Sequence, residues 1–216
     1  MTTASGSSRG GDFWSFDFVT PTPSQDADLL KNLNFVPGLK EILMLRQVHA
    51  LEHATVWVLS NATNFTGSGG STTAHILDND RLGGFSTDEG FYLYGQVNSA
   101  QLHRAVNIAL QRLTTGEWDL AVHPRCGTNL SVGMLLTAGL ALGVHLILPR
   151  GPIEQILGLG LAATAATHLA PDLGSLAQRY LTTSIPFNLA IAEISATPDK
   201  WGRSAHFVRV CWRESQ

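Results

Sequence analysis

From Leu130 to Leu148 the chain carries no charged residue. No other feature narrows the choice of fold as much. At 1.5 Å of rise per residue, a helix through this run and its neighbours crosses a hydrocarbon layer roughly 30 Å thick. Pro149-Arg150-Gly151-Pro152 then makes a tight turn, and a second apolar stretch runs from Ile153 to Ala170. Glu154 lies near its start, and Pro171-Asp172 closes it. The pair reads as an antiparallel transmembrane hairpin over residues 129–170. Gly139 with Gly143, and Ala162 with Ala166, give the small-x-x-x-small spacing that lets two such helices approach. The competing expectation is a helical hairpin buried in a large soluble core.

A hairpin brings its outer ends, near Asn129 and Ala170, to one side. His168 is thereby carried toward His123 and Cys126, while His145 stays beside the far turn. Histidines within apolar spans are functional candidates. His168 is expected to be a further ligand, a partner behind one, or an interfacial histidine; His145 is expected to be structural. Arg104, Arg112, Arg125, Arg179, Arg203, Arg209 and Arg213 fall on the side of the outer ends, with Arg150 on the other. The excess places that side in the cytoplasm.

Upstream, Pro37-Gly38 precedes a helix expected over residues 39–59, apolar nearly all round and therefore buried. Within it stands His49-x-x-Glu52-His53. The two histidines lie one turn apart on one face, and Glu52 is offset to the side. Two imidazoles at that spacing can grip one metal ion, with the carboxylate reaching a water on the ion rather than the ion itself. The order H-x-x-E-H is a known metallohydrolase pattern, although so short a match also arises by chance. A second island, His123-Pro-Arg-Cys126-Gly-Thr128, supplies two more candidate ligands.

These residues allow two sites. If His49, His53 and one of His123 or Cys126 bind, a fourth position stays open for water. Glu52 is then the general base and Arg125 the stabiliser of a developing oxyanion or a substrate carboxylate. If His123 and Cys126 both bind, the sphere is closed and the metal is a staple. The thiol favours zinc, with iron as the alternative.

The rest of the chain completes an α+β membrane protein: a small α/β cytoplasmic domain with short antiparallel strands, joined to the two-helix hairpin. Residues 1–34 read as a flexible arm, its aromatics Phe13, Trp14, Phe16 and Phe18 either docking on the body or contacting a partner or membrane. Residues 35–128 form the metal-site region, interrupted by an Asn/Ser/Gly/Thr-rich linker at 61–80. In that region, residues 82–97 read as a β-hairpin turning at Asp88-Glu89-Gly90. A helix capped by Asn98 or Ser99 runs to about Leu113, and Trp118–Val122 is a short strand. Residues 171–216 add a short helix, Leu173–Leu181, and two strands, Ala190–Ala196 and Ala205–Trp212, expected to pair with the middle strands. A formal charge of −3 gives no electrostatic case for nucleic acid. Two cysteines make no disulfide framework, and Cys126 beside His123 reads as a ligand in a reducing compartment.

His49-Ala-Leu-Glu-His53-Ala-Thr-Val56, Leu82-Gly-Gly-Phe-Ser-Thr87, Gly90-Phe-Tyr-Leu-Tyr-Gly95 and His123-Pro-Arg-Cys-Gly-Thr-Asn129 resemble an uncharacterised membrane-protein family typical of cyanobacteria. The similarity spans roughly residues 40–195. More distantly, the two histidine islands resemble the YqhQ-type proteins, predicted metal-dependent enzymes with membrane helices. In that group the first island usually reads His-Gly-Ala-Glu-His-Lys; Ala50-Leu51 and Ala54 replace the Gly-Ala and the Lys here. The resemblance implies a membrane-bound metal site; the expected location is the plasma or thylakoid membrane, and the expected partners are membrane lipid and an unidentified substrate or membrane complex. Two functions follow as expectations. One is an integral-membrane hydrolase of peptide, amide or ester bonds. The other is a non-enzymatic factor with a closed metal site that assists membrane-complex assembly or binds a pigment through His145 or His168.

Overall fold

In a computed structural model of the protein, residues 20–65, 81–149 and 151–213 are described. The aromatic cluster at residues 13–18, the linker beyond residue 65 and the placement of Arg150 lie outside them. Among the described residues, five α-helices and one four-stranded antiparallel sheet make a mixed α+β fold.

Part of the expected arm is structured. Gln25–Asn32 forms helix α1. Its Asp26 is buried and accepts hydrogen bonds from Gln47 at 2.6 Å and Ser184 at 2.8 Å. A carboxylate satisfied in this way ties the segment to the body of the protein.

Helix α2, Leu39–Phe65, is the axis of the core. Val48, Ala50, Leu51, Ala54 and Thr55 are wholly buried on different sides of it, as its unbroken apolar character requires. It extends past the expected end at residue 59 into the stretch read as linker. Asn61–Phe65 is polar enough to suggest a loop, yet nothing in it breaks a helix already anchored by its core.

Strands β1 (Gly83–Thr87) and β2 (Gly90–Tyr94) form the expected hairpin. Helix α3, Ser99–Thr114, is capped by the Asn98 side chain accepting from the Ala100 N–H. It turns Leu102, Val106, Ala109 and Leu113 into the core. Strands β3 (Leu189–Pro198) and β4 (Ser204–Trp212) complete a sheet of order β1-β2-β4-β3, so the C-terminal hairpin does join the middle strands. Phe91, Leu93 and Val208 line its buried face.

Trp118–Ala121 is not a strand but a turn of 3-10 helix. In a strand, the Ala121 and Val122 carbonyls would be spent on a ladder. Here they accept from the His53 and Trp57 rings.

Helices α4 (Gly127–Ile147) and α5 (Pro152–Ala177) form the antiparallel hairpin, and α5 continues as a π-turn, Gln178–Thr182. Pro171 does not end α5, so no separate short helix follows. A proline inside a helix costs one backbone bond, which a packed neighbour offsets. Here Gly174 lies so close to α4 that a Cβ would strike the Asn129 side chain at its Oδ1. The two helices also meet through Gly158, Ala162 and Ala166, whereas Gly139 and Gly143 face open space. No residue of α4 is buried, so the pair is not enclosed in a soluble core. Both helices are long and apolar enough to cross a membrane.

Candidate metal centre

The one-turn spacing on α2 places His49 and His53 with ring centroids 4.4 Å apart. Each Nδ1 meets a backbone carbonyl: Thr182 at 3.0 Å for His49 and Ala121 at 2.7 Å for His53. A carbonyl only accepts, so each Nδ1 carries a ring proton, and in the neutral imidazole each Nε2 offers a lone pair. This is the arrangement that orients metal-binding histidines. The fold builds it from segments far from α2 in sequence, the π-turn after α5 and the 3-10 turn after α3.

Cys126 caps the N-terminus of α4 and places its Sγ 3.3 Å from His49 Nε2. Burial pushes its thiol pKa up. Hydrogen bonding and charge from His53, with the side chain and N–H of Thr128, outweigh that and lower it. A thiol at a helix N-terminus beside imidazoles favours the thiolate, the form that binds metal. The ligand atoms of His49, His53 and Cys126 all lie within 4.8 Å of one another. The donor set therefore fits a thiolate- and imidazole-binding ion.

His123 stands beside this trio rather than in it. Its ring packs 5.6 Å from His53 and 4.7 Å from Trp57. Its Nδ1 accepts the Arg125 N–H at 3.3 Å, which puts the ring proton on Nε2 in the neutral imidazole. The Gln178 side chain accepts from the His123 N–H and donates to Asn129, pinning the loop to the end of α5.

Glu52 is buried against β1. Burial raises its carboxyl pKa, while the Ser86 hydrogen bond and the charge of His49 pull the other way without cancelling the rise. The Ser86 hydroxyl donates to Oε2 at 2.5 Å. The carboxylate also lies on the backbone of Gly84, where a Cβ would clash with Oε1. Leu82–Thr87 is one of the stretches carrying the family resemblance, but the sequence assigns Gly84 and Ser86 no role. Their part appears only once β1 crosses α2.

These groups line a cavity of about 640 Å³ together with Arg46, Arg125 and Thr182. That size suits a small-molecule site. His168 is exposed on α5 and lies outside the cavity wall, so the structure does not bring it to the trio. His145 is exposed on α4. Both cysteines are free thiols, Cys126 buried and Cys211 exposed.

The family model described as Domain of unknown function (DUF6391) matches residues 44–194. An uncharacterized protein of the cyanobacterium Picosynechococcus sp. is 50% identical over 204 residues, covering 94% of this chain and 97% of that protein. No solved structure matches.

Proposed function

Because the chain belongs to the DUF6391 family, whose matched span takes in the histidine helix, the cysteine loop and both apolar helices, we propose that it is an integral-membrane, metal-dependent hydrolase. The observation that carries this reading is the trio of His49, His53 and Cys126 donors, with Glu52 in the same cavity. Three ligands leave a position open, as in catalytic zinc sites, whereas a staple is closed by four. A staple also has no use for a cavity beside it.

Zinc suits two imidazoles and a thiolate, with iron as the alternative metal. When bound, such an ion supplies a Lewis acid and lowers the pKa of water. Glu52 holds the role of general base. Burial raises its pKa, so the carboxylate takes up a proton more readily than an exposed one would. Ser86 and the Gly84 backbone hold its carboxylate in one orientation. Arg125 stabilises negative charge developing on the substrate from the cavity wall. His123 buttresses His53 through ring contact.

In this reading α4 and α5 span the plasma or thylakoid membrane, and the cavity lies at the cytoplasmic surface. The closed-site reading, an assembly or pigment-binding factor, needs His123 as a fourth ligand, and the hydrogen bond at its Nδ1 weighs against that role.

Metal analysis of the purified full chain tests the proposal. One divalent ion per chain is expected in the parent and in Glu52→Gln, and none in His49→Ala. Loss of the ion in Glu52→Gln, with the fold intact by circular dichroism, would make Glu52 a ligand and overturn its assigned role.

A further inference from the structure

The cavity combines buried and exposed lining. Its buried part carries Glu52 and His53 with the apolar Val56 and Leu82, while Ile42, Leu45, Phe85 and Leu181 line it with exposed apolar side chains. Ile42 is 56% exposed and Leu181 71%. Hydrogen bonds tie this lining to the end of α5. His49 pairs with the Thr182 carbonyl, and Arg46, one turn earlier, with the carbonyls of Tyr180 and Thr183, on either side of the exposed rim residue Leu181. Leu181 follows directly on the apolar span of α5, and Thr128 and Thr182, at the cavity wall, bond to each other where α4 begins and the α5 continuation ends.

Exposed Ile and Leu lining a cavity that also holds buried polar groups make a contact surface for a ligand with one apolar and one polar end. We propose that the substrate is an acyl amphiphile. Its hydrocarbon chain lies along Ile42, Leu45 and Leu181 into the bilayer, and its carbonyl reaches the His49–His53–Cys126 trio. Among the described residues, the Arg46 guanidinium donates to the Tyr180 and Thr183 carbonyls and lines the cavity wall, where a carbonyl developing negative charge would pass. This inference rests on the metal-dependent hydrolase reading and adds the substrate class.

The test uses cobalt-loaded full chain in lipid nanodiscs, with the visible bands of the ion as readout. The probes are acetohydroxamate and octanohydroxamate, which share one chelating head and differ in chain. Both should perturb the bands. In Ile42→Asn/Leu181→Asn, octanohydroxamate should weaken by about ten-fold or more through lost apolar contact, while acetohydroxamate is unchanged. Ile108→Asn, which alters an exposed side chain of α3 outside the cavity wall, should change neither. Equal octanohydroxamate affinity in the rim variant and the parent would overturn the amphiphile and leave the metal site standing. Failure of the parent to bind cobalt or acetohydroxamate would overturn both.

Discussion

At the scale of single residues, the centre depends on protons held in place by backbone. The Thr182 and Ala121 carbonyls fix the tautomers of His49 and His53, and neither could be found from sequence, because a carbonyl has no residue-type signature. The histidines, Glu52 and Cys126 were legible because chemistry selects side chains, and i, i+4 spacing has a fixed meaning on a helix. Gly84 was not legible. A glycine in a hairpin suggests a turn, and only the crossing of β1 over α2 shows that it makes room for a carboxylate. Gly84→Ala should therefore displace Glu52, costing about 1–3 kcal/mol of stability as overpacking does. Metal content should be unchanged, since the trio is not touched. Thermal denaturation alongside metal analysis separates the two effects, and unchanged stability would refute the close approach.

At the scale of elements, the sequence reading held where periodicity was strong and failed where one residue was allowed to decide. Helix α3 and both hairpins appear close to their expected limits. Pro171 was given too much weight, because the packing of Gly174 on Asn129 carries α5 through it. The glycine pair on α4 was assigned to the wrong face: Gly158 of α5 meets Val144 and Leu148 instead. Gly158→Val should force the two helices apart and lower the melting temperature in detergent, whereas Gly139→Val should not. Equal effects would remove Gly158 from the helix contact.

The β3–β4 turn carries its own pH signature. The Tyr94 hydroxyl, the Arg203 guanidinium and the Trp201 and Arg203 N–H groups all donate to Asp199. Burial pushes its pKa up, but these donors outweigh it and hold the carboxyl far below the usual range. The folded-state pKa is thus depressed, so the stabilisation is fully present above the unfolded value of about 3.9 and is lost as pH falls through the folded one. Asp199→Asn should destabilise the protein at pH 7, and the gap should narrow as the pH drops below about 4. A gap independent of pH in paired thermal melts would mean that the carboxylate charge contributes nothing.

At the scale of the whole molecule, a mixed α+β body and a hairpin with no buried residue on α4 share one junction, and the candidate centre lies at that junction. Cys126 begins one apolar helix and Thr182 ends the other. Metal ligation and membrane insertion are therefore mechanically linked in the proposed function. The chain should stay with the membrane fraction after alkaline carbonate extraction; release into the supernatant would contradict the spanning role of α4 and α5. The central claim is that His49, His53 and Cys126 hold one ion while Glu52 stays outside its sphere. X-ray absorption at the metal edge of the purified zinc-loaded chain tests this most directly. The expected shell is two nitrogens at about 2.0–2.1 Å, one sulfur at about 2.3 Å and one further light atom, with the sulfur lost in Cys126→Ser. A zinc shell without sulfur in the parent would contradict the account.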